Sequence, residues 1–301
     1  MRTEARIIPV LAVGLISISF AATLIRLTQA PALVIAAYRM GLSSLLLSPF
    51  FWRAWPKRRS ELAADSTSLR LSVVSGAFLA FHFARWIESL NHTSVTSSVL
   101  LVTMNPIFLG VASPLLLKEK INRRMVIAIV LGISGAAVIT LRGDRAGLLD
   151  LGHLQGNLLA LGGAVMNSAY LLLGRRVRRN LSNISYSYVT YTVAALLLLL
   201  GVAVFRQPLH GYRVVTYVYF LLLAIAPQLV GHSSFNWALK HLTAPVVAVV
   251  ILGEPVGASL IAWLILHQPP TALEVVGGLL VLAGIALAAA RIGKSEFAPA
   301  E

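Results

Sequence analysis

Two prolines, each directly after a polar residue, lie in the middle of long apolar segments: Asn105-Pro106 and Glu254-Pro255. A proline inside a helix removes one backbone hydrogen bond and kinks the helix. In hydrocarbon, the freed carbonyl is tolerated only where protein or water satisfies it. The two helix kinks at Pro106 and Pro255 therefore predict a polar binding site between two helices. The alternative is a packing kink with a hydrogen-bonded asparagine.

Two residues of opposite charge also lie deep in apolar segments. Glu254 is the only carboxylate in the middle of an apolar segment, and Arg39 lies near mid-depth in another. A charge at that depth costs about 2.5–3.5 kcal/mol on insertion scales, so both side chains are expected to face the protein interior. Glu254 either takes part in proton coupling or substrate binding, or forms a structural ion pair with Arg39. Arg39 is either an anion clamp or a structural residue, because its planar fork suits a carboxylate or phosphate.

Further polar and aromatic residues occur at helical spacing in three other apolar segments. Side chains three or four positions apart share one face of a helix, and a polar face does not belong against lipid. These segments therefore add candidate cavity residues: His82 and Trp86 in the third, Asn167 and Tyr170 in the sixth, and Gln228, His232 and Asn236 in the eighth.

The elements that carry these residues are predicted to be membrane-spanning helices. The 301-residue chain is 57% hydrophobic and only 12% charged, with a mean hydropathy of +0.81. A soluble domain has about 25% charged residues, and a span needs about 20 apolar ones. The candidate spans are 7–27, 31–52, 69–90, 93–117, 123–141, 156–177, 185–205, 214–238, 244–266 and 271–290.

The charge pattern predicts the orientation. The formal net charge is +14, but the basic residues lie between apolar runs, so membrane topology explains them better than nucleic-acid binding does. With both termini in the cytoplasm, most of the 25 lysines and arginines lie inside. The absence of cysteine excludes disulfides, thiolate metal sites and cysteine nucleophiles.

The second half of the chain weakly repeats the first at one constant offset. Leu90 aligns with Leu239, and Pro106 aligns with Pro255. A repeat of five spans has odd parity, so the second copy must insert upside down, and inverted repeats are typical of secondary transporters. We therefore predict an all-α membrane protein of ten transmembrane helices in two inverted five-helix repeats, residues 1–142 and 143–301.

Three segments resemble the ten-helix branch of the drug/metabolite transporter superfamily, the EamA-type permeases. They are PALVIAAYRMGLSSLLL (31–47), LKEKINRRMVIAIVLGISGAAVI (117–139) and ALKHLTAPVVAVVILGEPVGASLIAWLILHQPPTALEVVGGLLVLAGIALA (238–288). The resemblance implies a central cavity surrounded by spans one, three, four, six, eight and nine. It also implies a multi-pass protein of the cytoplasmic (inner) membrane that works by alternating access.

The expected function is export of small metabolites, with amino acids as the leading class because the site offers both a cation and an anion. A cationic drug exporter is the alternative, and a sugar carrier is a third reading. An intramembrane hydrolase is the alternative of another class, because Gly132-Ile133-Ser134-Gly135 is similar to a rhomboid serine motif. We expect no cofactor, no metal and no nucleic-acid partner. The expected partners are a small-molecule substrate and membrane lipid. We expect the functional unit to be a monomer, with a dimer as the alternative.

Overall fold

A computed structural model describes residues 4–141, 153–266 and 271–290. Helices make up this part of the chain, and no strand occurs within it. Eight of its helical stretches are long and apolar enough to cross a membrane by length and composition, and Val275–Ala289 is a shorter apolar helix. The predicted domain boundary, at residues 142–143, lies outside the described residues.

The helices follow the predicted apolar segments closely. In chain order they are α1 (Glu4–Ser19), α2 (Ala21–Leu27), α3 (Ala32–Trp52), α4 (Trp55–Ala64), α5 (Ser66–His92), α6 (Val95–Val102), α7 (Asn105–Leu117), α8 (Arg123–Leu141), α9 (Leu154–Val177), α10 (Asn183–Val204), α11 (Val214–Leu223), a π-helical segment (Ala224–His232), α12 (Ser233–Ala238), α13 (Ala244–Ile251), α14 (Glu254–Leu266) and α15 (Ala272–Ala289).

Capping residues explain where several helices start. Asp65 accepts a hydrogen bond from the backbone N–H of Ser68 at 2.9 Å and starts α5. Ser94 accepts one from Ser97 at 3.0 Å and starts α6. Each cap satisfies one of the backbone donors that a helix leaves unpaired at its N-terminus.

The two proline positions break their spans rather than kink them. Pro106 lies in the first turn of α7 and Pro255 in the first turn of α14, and each helix follows a short interruption after α6 or α13. A proline in the first turn costs no hydrogen bond, because that N–H has no partner within the helix in any case. The kinks predicted within continuous helices at Pro106 and Pro255 are therefore full helix breaks.

Glycines bring α8 and α15 into close contact. A Cβ on Gly135 would lie 2.5 Å from the carbonyl oxygen of Gly277, and one on Gly284 would lie 2.7 Å from that of Ala128. Such close approach is how helices associate in lipid, where no hydrophobic force drives them together. Ser134, on the same helix, is exposed on the outer surface of the bundle.

Helix α4 docks on the start of α10 and marks one end of the bundle. Glu61 accepts hydrogen bonds from the hydroxyls of Ser185 at 2.6 Å and Ser182 at 3.0 Å, and Arg58 lies 3.5 Å from it. Burial alone would raise the pKa of Glu61, but these hydrogen bonds and the nearby guanidinium hold it below the ordinary value of 4.5. We call this end, which carries residues 53–61, 118–124 and 175–182, the basic end.

Candidate functional site

A cavity in the middle of the bundle gathers most of the predicted site residues. It is lined by polar residues from six helical elements and by apolar residues that complete its walls. The predicted members are Arg39, His82, Trp86, Asn105, Asn167, His232 and Glu254. The centres of water molecules can occupy about 30 Å³ of it, which is room for about two or three molecules.

The guanidinium of Arg39 is fully buried and held from behind. Its Nε donates to Oε1 of Gln228 at 2.9 Å, and its Cζ lies 4.1 Å above the ring centroid of Phe83. Its terminal nitrogens, Nη1 and Nη2, have no hydrogen-bond partner. A buried donor without a partner costs about 1–3 kcal/mol. The arrangement leaves both terminal nitrogens free to bind a two-oxygen anion.

The π-helical segment provides the residue that holds Arg39. Gln228 and His232 both lie in this segment, which also contains Pro227. A proline cannot donate to the preceding turn, and π-type bulges are common at functional sites. Gln228 does not line the cavity, so its predicted role as a cavity residue changes to one of positioning.

Glu254 lies at the break between α13 and α14 and is 7% exposed. Its backbone carbonyl accepts a hydrogen bond from Ser19 at 3.5 Å. Both terminal nitrogens of Arg39 lack a hydrogen-bond partner, so no hydrogen bond joins them to Glu254. The carboxylate and the guanidinium line the same cavity and attract each other across it, so an electrostatic pairing of the two residues stays the alternative to a role in substrate binding.

Histidine and tryptophan side chains form an aromatic wall. The rings of His82 and Trp86 are stacked with centroids 5.9 Å apart, and the rings of His82 and His232 are 6.4 Å apart. Nδ1 of His82 is 3.0 Å from the carbonyl oxygen of Gly163, which orients the ring. The indole Nε1 of Trp86 has no hydrogen-bond partner.

The asparagines add further unpaired polar atoms. Nδ2 of Asn105 and Oδ1 of Asn167 have no hydrogen-bond partner, although both side chains are at least 95% buried. Oδ1 of Asn105 accepts from Ser168 at 3.3 Å. Buried polar groups are normally hydrogen-bonded, so donors and an acceptor that face a shared cavity indicate a polar ligand.

Tyr170 and Asn236 are not in the cavity. The Tyr170 hydroxyl donates to Oδ1 of Asn236 at 2.6 Å, and Nδ2 of Asn236 lies 3.2 Å from Ser187 and 3.3 Å from Tyr191. Both side chains are completely buried. They form a satisfied network between α9, α10 and α12, which is a structural role.

Three of the contributors that the sequence did not predict show why they were missed. Thr103 lines the cavity at the break after α6, Phe83 supports Arg39, and Ile18 contributes a wall from α1. Phe83 follows His82 directly and carries no polar signal of its own. Ile18 has the composition of any core residue, so only the packing of α1 could identify it.

At the basic end, one ion pair joins three parts of the bundle. Nε of Arg175 is 2.7 Å from Oε1 of Glu119, and Nη1 of Arg175 donates to the carbonyl oxygen of Leu239 at 2.8 Å. Both charged residues are 9% exposed. The contact connects the ends of α7, α9 and α12.

Replacing Glu119 with Gln is expected to destabilise the protein by about 3 kcal/mol, because a buried guanidinium loses its counter-charge. The apparent unfolding temperature in detergent should fall by several degrees. Glu88→Gln is the matched control, because the Glu88–His92 pair is exposed at 42% and 35% and should contribute less than about 1 kcal/mol. Equal shifts for the two variants would contradict a structural role for the buried pair.

Among the residues that the structure describes, no group of three or more His, Cys, Asp or Glu side chains could hold a metal ion. The cavity offers one guanidinium, one carboxylate, two imidazoles and two amides. These groups bind a ligand through charge and hydrogen bonds.

A solved crystal structure has the same fold. It superposes with a TM-score of 0.78 at 16% sequence identity, covering 97% of this chain and 99% of that chain. At this identity the likeness concerns the fold alone.

Curated relatives from a bacterium and an archaeon are named as transporters. The chain is 22% identical to the uncharacterized transporter YyaM of Bacillus subtilis (strain 168), over 83% of this chain and 82% of the relative. It is 23% identical to an uncharacterized transporter of Archaeoglobus fulgidus, over 85% of this chain and 87% of the relative.

The EamA-like transporter family model matches two segments, residues 6–141 and 154–290. Together these segments cover most of the chain. The family and the named relatives point to a transporter rather than an enzyme, and the apolar helices agree with several membrane crossings. The chain therefore belongs to the EamA-like transporter family and is a multi-pass membrane transporter.

Proposed function

We propose that the protein is a secondary transporter that exports small zwitterionic metabolites, with amino acids as the leading class. The observation that carries this proposal is the free face of Arg39. Nη1 and Nη2 have no partner in a cavity that also contains the Glu254 carboxylate. One cavity thus contains a cation and an anion that are not hydrogen-bonded to each other.

The chemistry of an α-amino acid fits these two charges. A guanidinium binds a carboxylate through two parallel hydrogen bonds, which is stronger and more specific than a single contact. Glu254 supplies the opposite charge for an ammonium group. The aromatic wall of His82 and Trp86 provides a surface for an apolar or aromatic side chain.

Alternating access is the proposed mechanism. The cavity has room for only about two or three water molecules, so an amino acid requires it to widen. Opening toward the basic end requires that Arg175 separate from Glu119 and from the Leu239 carbonyl. The helix breaks at 103–104 and 252–253 are the places where the cavity walls can move with little loss of helical hydrogen bonding.

Two inverted repeats of five helices, residues 1–142 and 143–301, are the proposed architecture, with ten spans and both termini in the cytoplasm. The two segments matched by the family model support this division. The broken α6–α7 and α13–α14 pairs also occupy corresponding positions of the sequence repeat. We propose the cytoplasmic (inner) membrane as the location and a monomer as the functional unit.

The alternatives are disfavoured by specific residues. A cationic drug would meet Arg39, a buried charge of the same sign. A sugar would leave both Arg39 and Glu254 without an ionic partner. A hydrolase would need Ser134 in a buried site, yet it is exposed on the outer surface of the bundle.

Counterflow in proteoliposomes tests the substrate class. Vesicles loaded with an unlabelled amino acid should accumulate the labelled compound, whereas vesicles loaded with a sugar should not. The decarboxylated amine of the same amino acid is the matched control and should compete weakly, because it lacks the group that binds Arg39. Counterflow of cationic drugs without counterflow of any amino acid would contradict the proposal. The direction of transport is tested by comparing flux in right-side-out and inside-out vesicles under the same substrate gradient.

A further inference from the structure

A groove runs between α3 and α10 on the side of the bundle away from the central cavity. The two helices are joined there by a hydrogen bond of 2.6 Å between the hydroxyls of Ser44 and Thr192. Two recesses of about 330 Å³ and 240 Å³ lie along this seam, and both are lined by Gly41. Neither recess belongs to the proposed transport site.

Gly41 leaves the groove open at the junction of the two recesses. A Cβ built on Gly41 would meet no atom within 4 Å. Leu45, Ser48 and Trp52 continue the lining of the larger recess at helical spacing. The stretch from Gly41 to Trp52 is about 17 Å long at 1.5 Å per residue, which is close to the roughly 15 Å thickness of one hydrocarbon leaflet.

The hydroxyls in the groove are already satisfied by the protein. Ser48 donates to the carbonyl oxygen of Leu45 at 2.7 Å, and Thr192 donates to that of Tyr188 at 2.7 Å. Leu45 and Leu196 are 66% and 62% exposed along the same recess. The groove therefore offers an apolar surface whose serine and threonine hydroxyls are already hydrogen-bonded, which suits a hydrocarbon chain.

The end of the groove is aromatic and is followed by positive charge. Nε1 of Trp52 donates to the Tyr188 hydroxyl at 3.2 Å, as expected for an aromatic belt at a membrane interface. Of the basic residues that follow Trp52 along the chain, Arg53, Lys57 and Arg59 are exposed. Within the described residues no ion pair joins them to an acid, since Glu61 is engaged by Arg58, Ser182 and Ser185.

We propose that this groove binds an anionic phospholipid, with an acyl chain along Gly41 and Leu45 and the phosphate at Arg53, Lys57 and Arg59. Basic residues near a membrane surface each contribute about 1 kcal/mol to the attraction of anionic lipid. A second copy of the chain is a poorer occupant, because a symmetric contact would bring two sets of these cations together. The site is independent of the proposed function.

Native mass spectrometry of the purified protein with equal amounts of phosphatidylglycerol and phosphatidylcholine tests the headgroup. The wild-type protein should retain phosphatidylglycerol preferentially. The triple variant R53Q/K57Q/R59Q should lower the ratio of the two bound lipids at least about tenfold. The matched control K120Q/R123Q/R124Q also removes three exposed positive charges from the basic end and should leave the ratio unchanged.

Gly41→Phe tests the acyl-chain groove separately. The open space around Gly41 accepts a larger side chain, so the variant should remain folded and monodisperse. It should lower the amount of either lipid retained at the site severalfold. Equal loss of the preference in both triple variants, or unchanged lipid retention in Gly41→Phe, would overturn the proposal. A wild-type dimer that Gly41→Phe converts to a monomer would also overturn it, by assigning the groove to a second copy.

Discussion

Replacing Glu254 with Gln is expected to lower amino-acid flux by at least about tenfold while the protein still folds. A hydrogen bond to a charged group contributes about 1.5–3 kcal/mol, which corresponds to roughly 10- to 150-fold in binding. Glutamine keeps the size of the side chain but removes the charge that pairs with a substrate ammonium. Counterflow of a labelled amino acid in proteoliposomes measures the loss.

The stability of the Glu254→Gln variant distinguishes a functional charge from a structural one. A buried carboxylate costs about 2.5–3.5 kcal/mol on insertion scales, and the hydrogen bond from Ser19 goes to the backbone carbonyl of Glu254 and not to its carboxylate. The variant should therefore unfold at the wild-type temperature or above. Glu88→Gln removes an exposed carboxylate and should leave flux unchanged. Wild-type flux in the Glu254 variant would contradict a role in transport.

Replacing Arg39 with Met is expected to weaken the binding of amino acids by at least about 100-fold. The substitution removes both free terminal nitrogens, and with them two charge-assisted hydrogen bonds to a substrate carboxylate. Arg39→Lys keeps the charge but loses the planar fork, so it should restore only part of the affinity. Competition of unlabelled amino acids in the counterflow assay measures both effects.

The substrate dependence of the Arg39 effect is the sharper part of this prediction. Decarboxylated amines lack the group that Arg39 binds, so Arg39→Met should affect their weak competition much less than that of amino acids. Arg70→Met removes an exposed arginine and is the matched control. Equal losses for amino acids and amines would show that Arg39 acts on the structure and not on the carboxylate. Gel filtration of each variant confirms that the comparison is between folded proteins.

Much of the site could be predicted because lipid restricts what a deep polar residue can do. Arg39, His82, Asn105 and Glu254 were all predicted to face a central cavity, and the structure places all four there. The reason is energetic: a charge or amide exposed to hydrocarbon is costly, so polar residues in apolar segments turn inward. The location of the site at the paired prolines was predicted for a related reason, although the prolines break their helices instead of kinking them.

Helical spacing predicted a shared face for Gln228 and His232 with Asn236 at its border, yet the structure gives the three residues different neighbours. Gln228 holds Arg39, His232 lines the cavity, and Asn236 joins Tyr170 in a buried network. Part of the reason is the π-helical segment, whose wider turn changes the direction of the side chains after Pro227. The remainder depends on the rotation of each helix against its neighbours.

The sequence by itself determined that the chain crosses the membrane several times and that its deep polar residues face inward. These properties follow from hydrophobicity and from the cost of charge in hydrocarbon, which act on each segment separately. Only the tertiary structure decided that Arg39 is held by Gln228 and is not hydrogen-bonded to Glu254. That choice depends on which helices pack together and at what rotation, because hydrogen bonding requires atoms of distant segments to lie within about 3 Å of each other.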